Sequence, residues 1–156
     1  MEEHKLKVTE LQKDLVDAIN EKEQECIELI QESKTKTPKE KVQWIREYVD
    51  KLLLKKYSDE DLREYALKLG ALWGKMVVEE YNWKWKYINF GNDVEGIYIV
   101  SPKNYYCCPP LYFLTKILLK ENGGFDGNND NTVMLLFNMM NGIENKKPKQ
   151  NYQIIT

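Results

Sequence analysis

A single histidine, His4, is the whole imidazole content of a chain of 156 residues, and it lies near the amino terminus. Most general-base, Ser-His and zinc chemistries rest on at least one well-placed imidazole, so those mechanisms have no candidate here. Cysteine is also scarce: Cys26, Cys107 and Cys108 make an odd count with no secreted-scaffold spacing. No segment reaches the ~18 consecutive apolar residues that a bilayer demands. The opening stretch, MEEHKLKVTELQKDL, is too charged to hold the hydrophobic region of a signal peptide. These features together favour a reducing, cytoplasmic location. Charge of one sign is missing too. Lys and Arg total 23 against 25 Asp and Glu, a net charge of −2, which excludes a strongly basic nucleic-acid binder and a polyanionic disordered tail.

What the chain does have is enough apolar side chain, 42% of its residues, to bury a core at the size of one ordinary domain. The 18 aromatics are unevenly placed. None precedes Trp44, and 15 fall between Trp44 and Phe113. The core is therefore expected around the middle of the chain, with the first helix lying against it or projecting from it.

Residues from about 6 to 33 read as a long helix, because Leu11, Leu15, Ile19, Cys26, Ile27 and Ile30 recur at helical spacing. SKTKTP breaks it. Thr37, Pro38 and Glu40 then supply a cap hydroxyl, a first-position proline and a capping-box acid for a second helix to about Lys56. Ser58 ahead of Asp59, Glu60 and Asp61 caps a third, over about 59–81. Its later turns, ALKLGALWGKMVV, are apolar almost all round, which predicts a central buried helix. Gly70 and Gly74 share one face there and invite close approach by another backbone. Each glycine costs roughly 1 kcal/mol of helix propensity against alanine, so packing must offset it.

Trp83, Trp85 and Tyr87 alternate with Lys84, Lys86 and Ile88, a period of two. With the turn FGNDVEG and the run Ile97 to Val100 they predict a β-hairpin over about 83–101. Pro109 and Pro110 open a further helix, LYFLTKILLKE, and a short apolar helix follows from about Thr132 to Met140, so helices are expected over about 110–141. The tail, about 144–156, is polar and reads as loose, with Tyr152 to Ile155 as a candidate edge strand.

Several patterns invite a chemical reading. Asp126, Asn128 and Asp130 alternate like the first ligands of an EF-hand, but Asn131 stands where glycine must turn the loop and Phe137 where a bidentate glutamate must close it. The calcium motif fails, leaving a turn and a helix cap. Cys107 and Cys108 precede a helix start, yet lack a histidine and the two-residue spacer of redox motifs. They read as small buried side chains. Trp83-Lys84-Trp85-Lys86 resembles a stacking platform for nucleic acid or glycan. Alternation puts rings and cations on opposite faces, which favours a core role. Paired carboxylates such as Glu79-Glu80 sit on helix surfaces with nothing to select them.

Over residues 69–118, about a third of the chain, a pattern stands out: Leu69-Gly70, Trp73-Gly74, Trp83 and Trp85, Ser101-Pro102, then Pro110 and an apolar helix. It resembles small, largely uncharacterised bacterial α+β domains with an LG-x-x-x-G helix, a Trp-containing hairpin and a proline-started helix. Some of these are immunity proteins of toxin systems. The resemblance implies a toxin-neutralising binder and brings no catalytic motif; Trp73 and the Cys107-Cys108 pair have no counterpart in it.

The expected architecture is one α+β domain over 1–156: three amino-terminal helices, a central hairpin or small antiparallel sheet, and two carboxy-terminal helices. Gly70, Trp73, Gly74, Trp83 and Trp85 form its structural core. The expected function is non-enzymatic protein binding, most concretely an immunity protein occluding a cognate toxin, with Tyr105, Tyr106, Asp126, Asn128 and Asp130 as contacts. No catalytic residue, metal ligand, cofactor or membrane partner is expected. One alternative is a histidine-independent enzyme using carboxylates or Cys107 and Cys108. Another is a nucleic-acid or glycan binder through Trp83 and Trp85.

Overall fold

The computed structural model describes residues 6–30, 37–120 and 132–155. In chain order they form β1 (Lys7–Thr9), α1 (Lys13–Leu29), α2 (Pro38–Leu53), α3 (Asp59–Tyr81), β2 (Lys84–Gly91), β3 (Val94–Val100), β4 (Tyr106–Cys108), α4 (Pro110–Leu119), α5 (Val133–Met139), a 3-10 turn (Ile143–Asn145) and β5 (Gln153–Ile154). The fold is α+β, with helices on both sides of the strand region in sequence.

Local signals set the helix starts. Thr37 Oγ1 accepts the Glu40 N–H at 3.1 Å and donates to Glu40 Oε1 at 2.9 Å, with Pro38 in the first turn of α2. Ser58 Oγ accepts the Asp61 N–H at 3.1 Å and starts α3. α3 ends at Asn82, in the left-handed region at φ 62°, whose N–H donates to Val78 O.

α3 is the central element. Ala66, Leu69, Gly70, Ala71, Leu72, Trp73, Gly74, Met76 and Val77 are all buried, as an all-round apolar helix requires. α4 crosses it where the glycines leave room. A Cβ on Gly70 would lie 2.8 Å from Pro110 O and 2.9 Å from Leu111 Cα. Trp73 is fully buried; its ring lies 4.8 Å from that of Phe113, and its Nε1–H donates to Val133 O at 3.2 Å, fixing the start of α5. Phe137 packs against Tyr81 at 5.1 Å, a core position far from any ligand role. α1 is tied to α3 by Lys22–Glu64 and Lys75–Glu23 ion pairs.

The strands form one sheet in the order β1-β2-β3-β4-β5. The hairpin turns on Asn92 and Asp93, both at positive φ (54° and 63°), the two-residue turn whose twist matches the flanking strands. Ile99, Cys108, Trp83 and Trp85 join the helical core, while Ile88, Tyr98, Val100 and Cys107 form a second cluster with Val8, Phe90 and Tyr152. Strand alternation divides the two sets.

Three expectations need correction. The first helix starts at Lys13 rather than about residue 6: Lys7–Thr9 pairs with β2, Val8 opposite Ile88, so Val8 joins a sheet cluster. A three-residue strand with two polar members carries no periodicity to compete with the helical stripe behind it. The sheet is mixed rather than antiparallel, because β5 runs parallel to β4. The tail is docked rather than loose. Glu144 Oε2 accepts from Ser101 Oγ at 2.5 Å and from the Lys103 N–H at 2.8 Å, and β5 lies on β4 as an edge strand.

Candidate functional site

Of the expected contact residues, Tyr105 and Tyr106 are among the described residues. Asp126, Asn128 and Asp130 lie outside the described residues, as does His4. Tyr105 and Tyr106 sit at the entry to β4, both half-buried. Tyr106 faces the helical core and its hydroxyl donates to Lys146 O at 2.6 Å, so it holds the tail. Tyr105 has Lys103 Nζ 5.8 Å from its ring centroid, and its carbonyl accepts from the Gln153 N–H.

Cys107 and Cys108 occupy β4 and point to opposite faces, one into each cluster. Burial pushes the Cys107 thiol up to about 12 and Cys108 well above the ordinary thiol range. Cys26 is likewise pushed to about 12 by burial. A nucleophilic role needs the thiolate, and all three environments oppose it. All three are free and buried.

Trp83 is 2% exposed, and Trp85 is wedged against Gly74 and Pro110. Lys86 turns away to pair with Glu10. Rings and cations diverge as strand alternation dictates, so β2 presents no mixed stacking surface. Among the described residues no group of three His, Cys, Asp or Glu side chains comes together as metal ligands, and no helix is long and apolar enough to cross a membrane.

The structure assembles a different aromatic group. Trp44 and Tyr48, four apart on α2, stack with centroids 4.8 Å apart and planes 22° off parallel. Tyr65 on α3 lies 5.9 Å from Tyr48, and Tyr57, in the α2–α3 connection, meets Tyr65 edge-on at 5.7 Å. All four are half-buried, packed on the core below with part of each ring toward solvent. Lys68 Nζ lies 5.8 Å from the Tyr65 centroid. Desolvation first, then the electrostatic effect of the neighbouring Tyr65 hydroxyl, pushes Tyr48 up to about 12, so it stays neutral at any physiological pH. One sequence signal pointed here, the four-residue spacing of Trp44 and Tyr48. Bringing Tyr57 and Tyr65 to them takes the α2–α3 turn.

α1, tied to α3 by the Lys22–Glu64 pair one residue before Tyr65, carries a row of exposed acids. Asp14, Asp17, Glu21 and Glu28 are exposed at spacings of three, four and seven, along about 21 Å of helix. No protein-family model, curated protein or solved structure matches this chain.

Proposed function

We propose that this is a non-enzymatic protein-binding domain that occludes a partner's working surface, the role of an immunity protein toward a bacterial toxin. The observation that carries the reading is the four-ring group of Trp44, Tyr48, Tyr57 and Tyr65. Trp and Tyr dominate interface hot spots because they offer large, stiff amphipathic surface at little entropic cost. Here the rings are fixed on two helices and their connection, so little ordering is left for binding. The acidic row of α1 supports a partner with a basic surface, since complementary charge steers encounter. The likeness of the Leu69–Leu118 pattern to immunity domains supports the same role, and three buried free thiols fit a reducing cytoplasm.

Co-expression with the product of the adjacent gene, tested as the toxin, tests the proposal. Protection from killing and a joint peak on a sizing column support it. Unimpaired killing without a complex sinks it.

A further inference from the structure

The carboxy-terminal segment is held in an unusual way. Glu144 accepts from Ser101 Oγ and the Lys103 N–H, and Tyr106 donates to Lys146 O. The N–H groups of Tyr152, Gln153 and Ile155 donate to the carbonyls of Asn104, Tyr105 and Cys107 at 2.8–2.9 Å. Cys107 Sγ donates to Tyr152 O at 3.4 Å. All seven bonds end on residues 101–107. No residue from 141 to 155 is buried; Ile143, Tyr152 and Ile155 are half-covered. Tyr152 also takes a left-handed conformation, φ 61°, that a residue with a Cβ adopts at a cost. A segment tied by hydrogen bonds with little buried apolar surface belongs to the least stable part of a fold.

We propose that residues 143–155 are a releasable strap that opens as one unit while the rest of the protein stays folded. Lifting it does two things together. It frees the carbonyls of Asn104, Tyr105 and Cys107 along the outer edge of β4. It also uncovers the Cys107 thiol, while Cys108, on the opposite face of the same strand, stays in the helical core. This device is separate from the aromatic group of α2 and α3.

Thiol labelling of the full-length chain with excess Ellman's reagent at pH 8, without denaturant and over low urea, tests this. The strap predicts that one thiol reacts first, at a rate insensitive to low urea, and that Cys107→Ser removes that phase. Tyr106→Phe keeps the ring but loses the bond to Lys146 and should speed the phase about fivefold; Glu144→Ala, which frees two donors from a carboxylate, should speed it more than tenfold. Labelling of Cys26 and Cys108 should not follow. Three thiols that react together with one urea dependence, no labelling before global unfolding, or a first phase untouched by Tyr106→Phe would each overturn the proposal.

Discussion

The indole of Trp85 fills the space that a side chain at Gly74 would take: a Cβ there would sit 2.6 Å from Trp85 Cη2 and 2.9 Å from Cζ2, with Pro110 Cγ at 2.8 Å. The hairpin, α3 and the start of α4 thus meet at one glycine. Gly74→Ala should gain about 1 kcal/mol of helix propensity but force overpacking worth about 1–3 kcal/mol. At Gly70 the obstacles include the Pro110 carbonyl and Leu111 Cα, backbone atoms that cannot rotate away. Urea unfolding should therefore show both variants destabilised and Gly70→Ala the worse; a Gly70→Ala midpoint at or above that of the parent would contradict the close crossing.

Trp73→Phe keeps an apolar ring but strips the bond to Val133 O inside the core. A lost buried partner costs about 1–3 kcal/mol, to which the smaller ring adds a cavity. Amide exchange at Leu136 and Phe137 should accelerate in this variant more than at the cap of α2, because the bond anchors α5. Equal acceleration everywhere would point to uniform weakening instead.

Burial raises Cys26 and Cys107 from 9.0 to about 12. In the unfolded chain each thiol loses its proton near pH 9; in the folded chain it keeps it. The unfolded state then binds fewer protons, so stability is complete below pH 9 and falls toward pH 12, by about 1.4 kcal/mol per pH unit for each thiol. Urea midpoints at pH 8, 9 and 10 measure it, and Cys26→Ala should flatten the slope. A flat profile above pH 9 would mean that these thiols are not desolvated.

Much of the fold could be read from local chemistry. The Thr37-Pro38 and Ser58 starts, the all-round apolar α3 and the period-two Trp83-Trp85 strand each depend on residues within a few positions of one another, and each stands as expected. β1 and β4, and the parallel pairing of β5 within the candidate edge strand Tyr152 to Ile155, were illegible for a physical reason. They are two or three residues long, and their pairing is decided by backbone groups far apart in sequence, such as Ile155 N–H on Cys107 O. The polar composition of 144–156 suggested a free tail, yet its anchors are one carboxylate, two carbonyls and a few amides, which composition does not report. The bond from the Tyr106 hydroxyl to Lys146 O and the meeting of Tyr48 with Tyr65 are likewise set by residues far apart in sequence, beyond the reach of local pattern.

If the four-ring group is the contact, truncating one of its rings should weaken partner binding by a hot-spot margin, about 2 kcal/mol or thirtyfold in Kd, and act mainly on dissociation. Trp44→Ala and Tyr57→Ala are the informative pair, since one ring stacks along α2 and the other rises from the connection. Exposed acids of α1 should behave differently. Asp17→Asn and Glu21→Gln should lower the association rate at low salt and lose their effect at high salt.

The most direct measurement is the affinity of the purified chain for the product of the adjacent gene, tested as the toxin, compared with Trp44→Ala and Tyr57→Ala at matched folded fraction. The account predicts a stable complex for the parent chain and at least tenfold weaker binding for both variants. No complex, or a complex that both variants form with unchanged affinity, would contradict it.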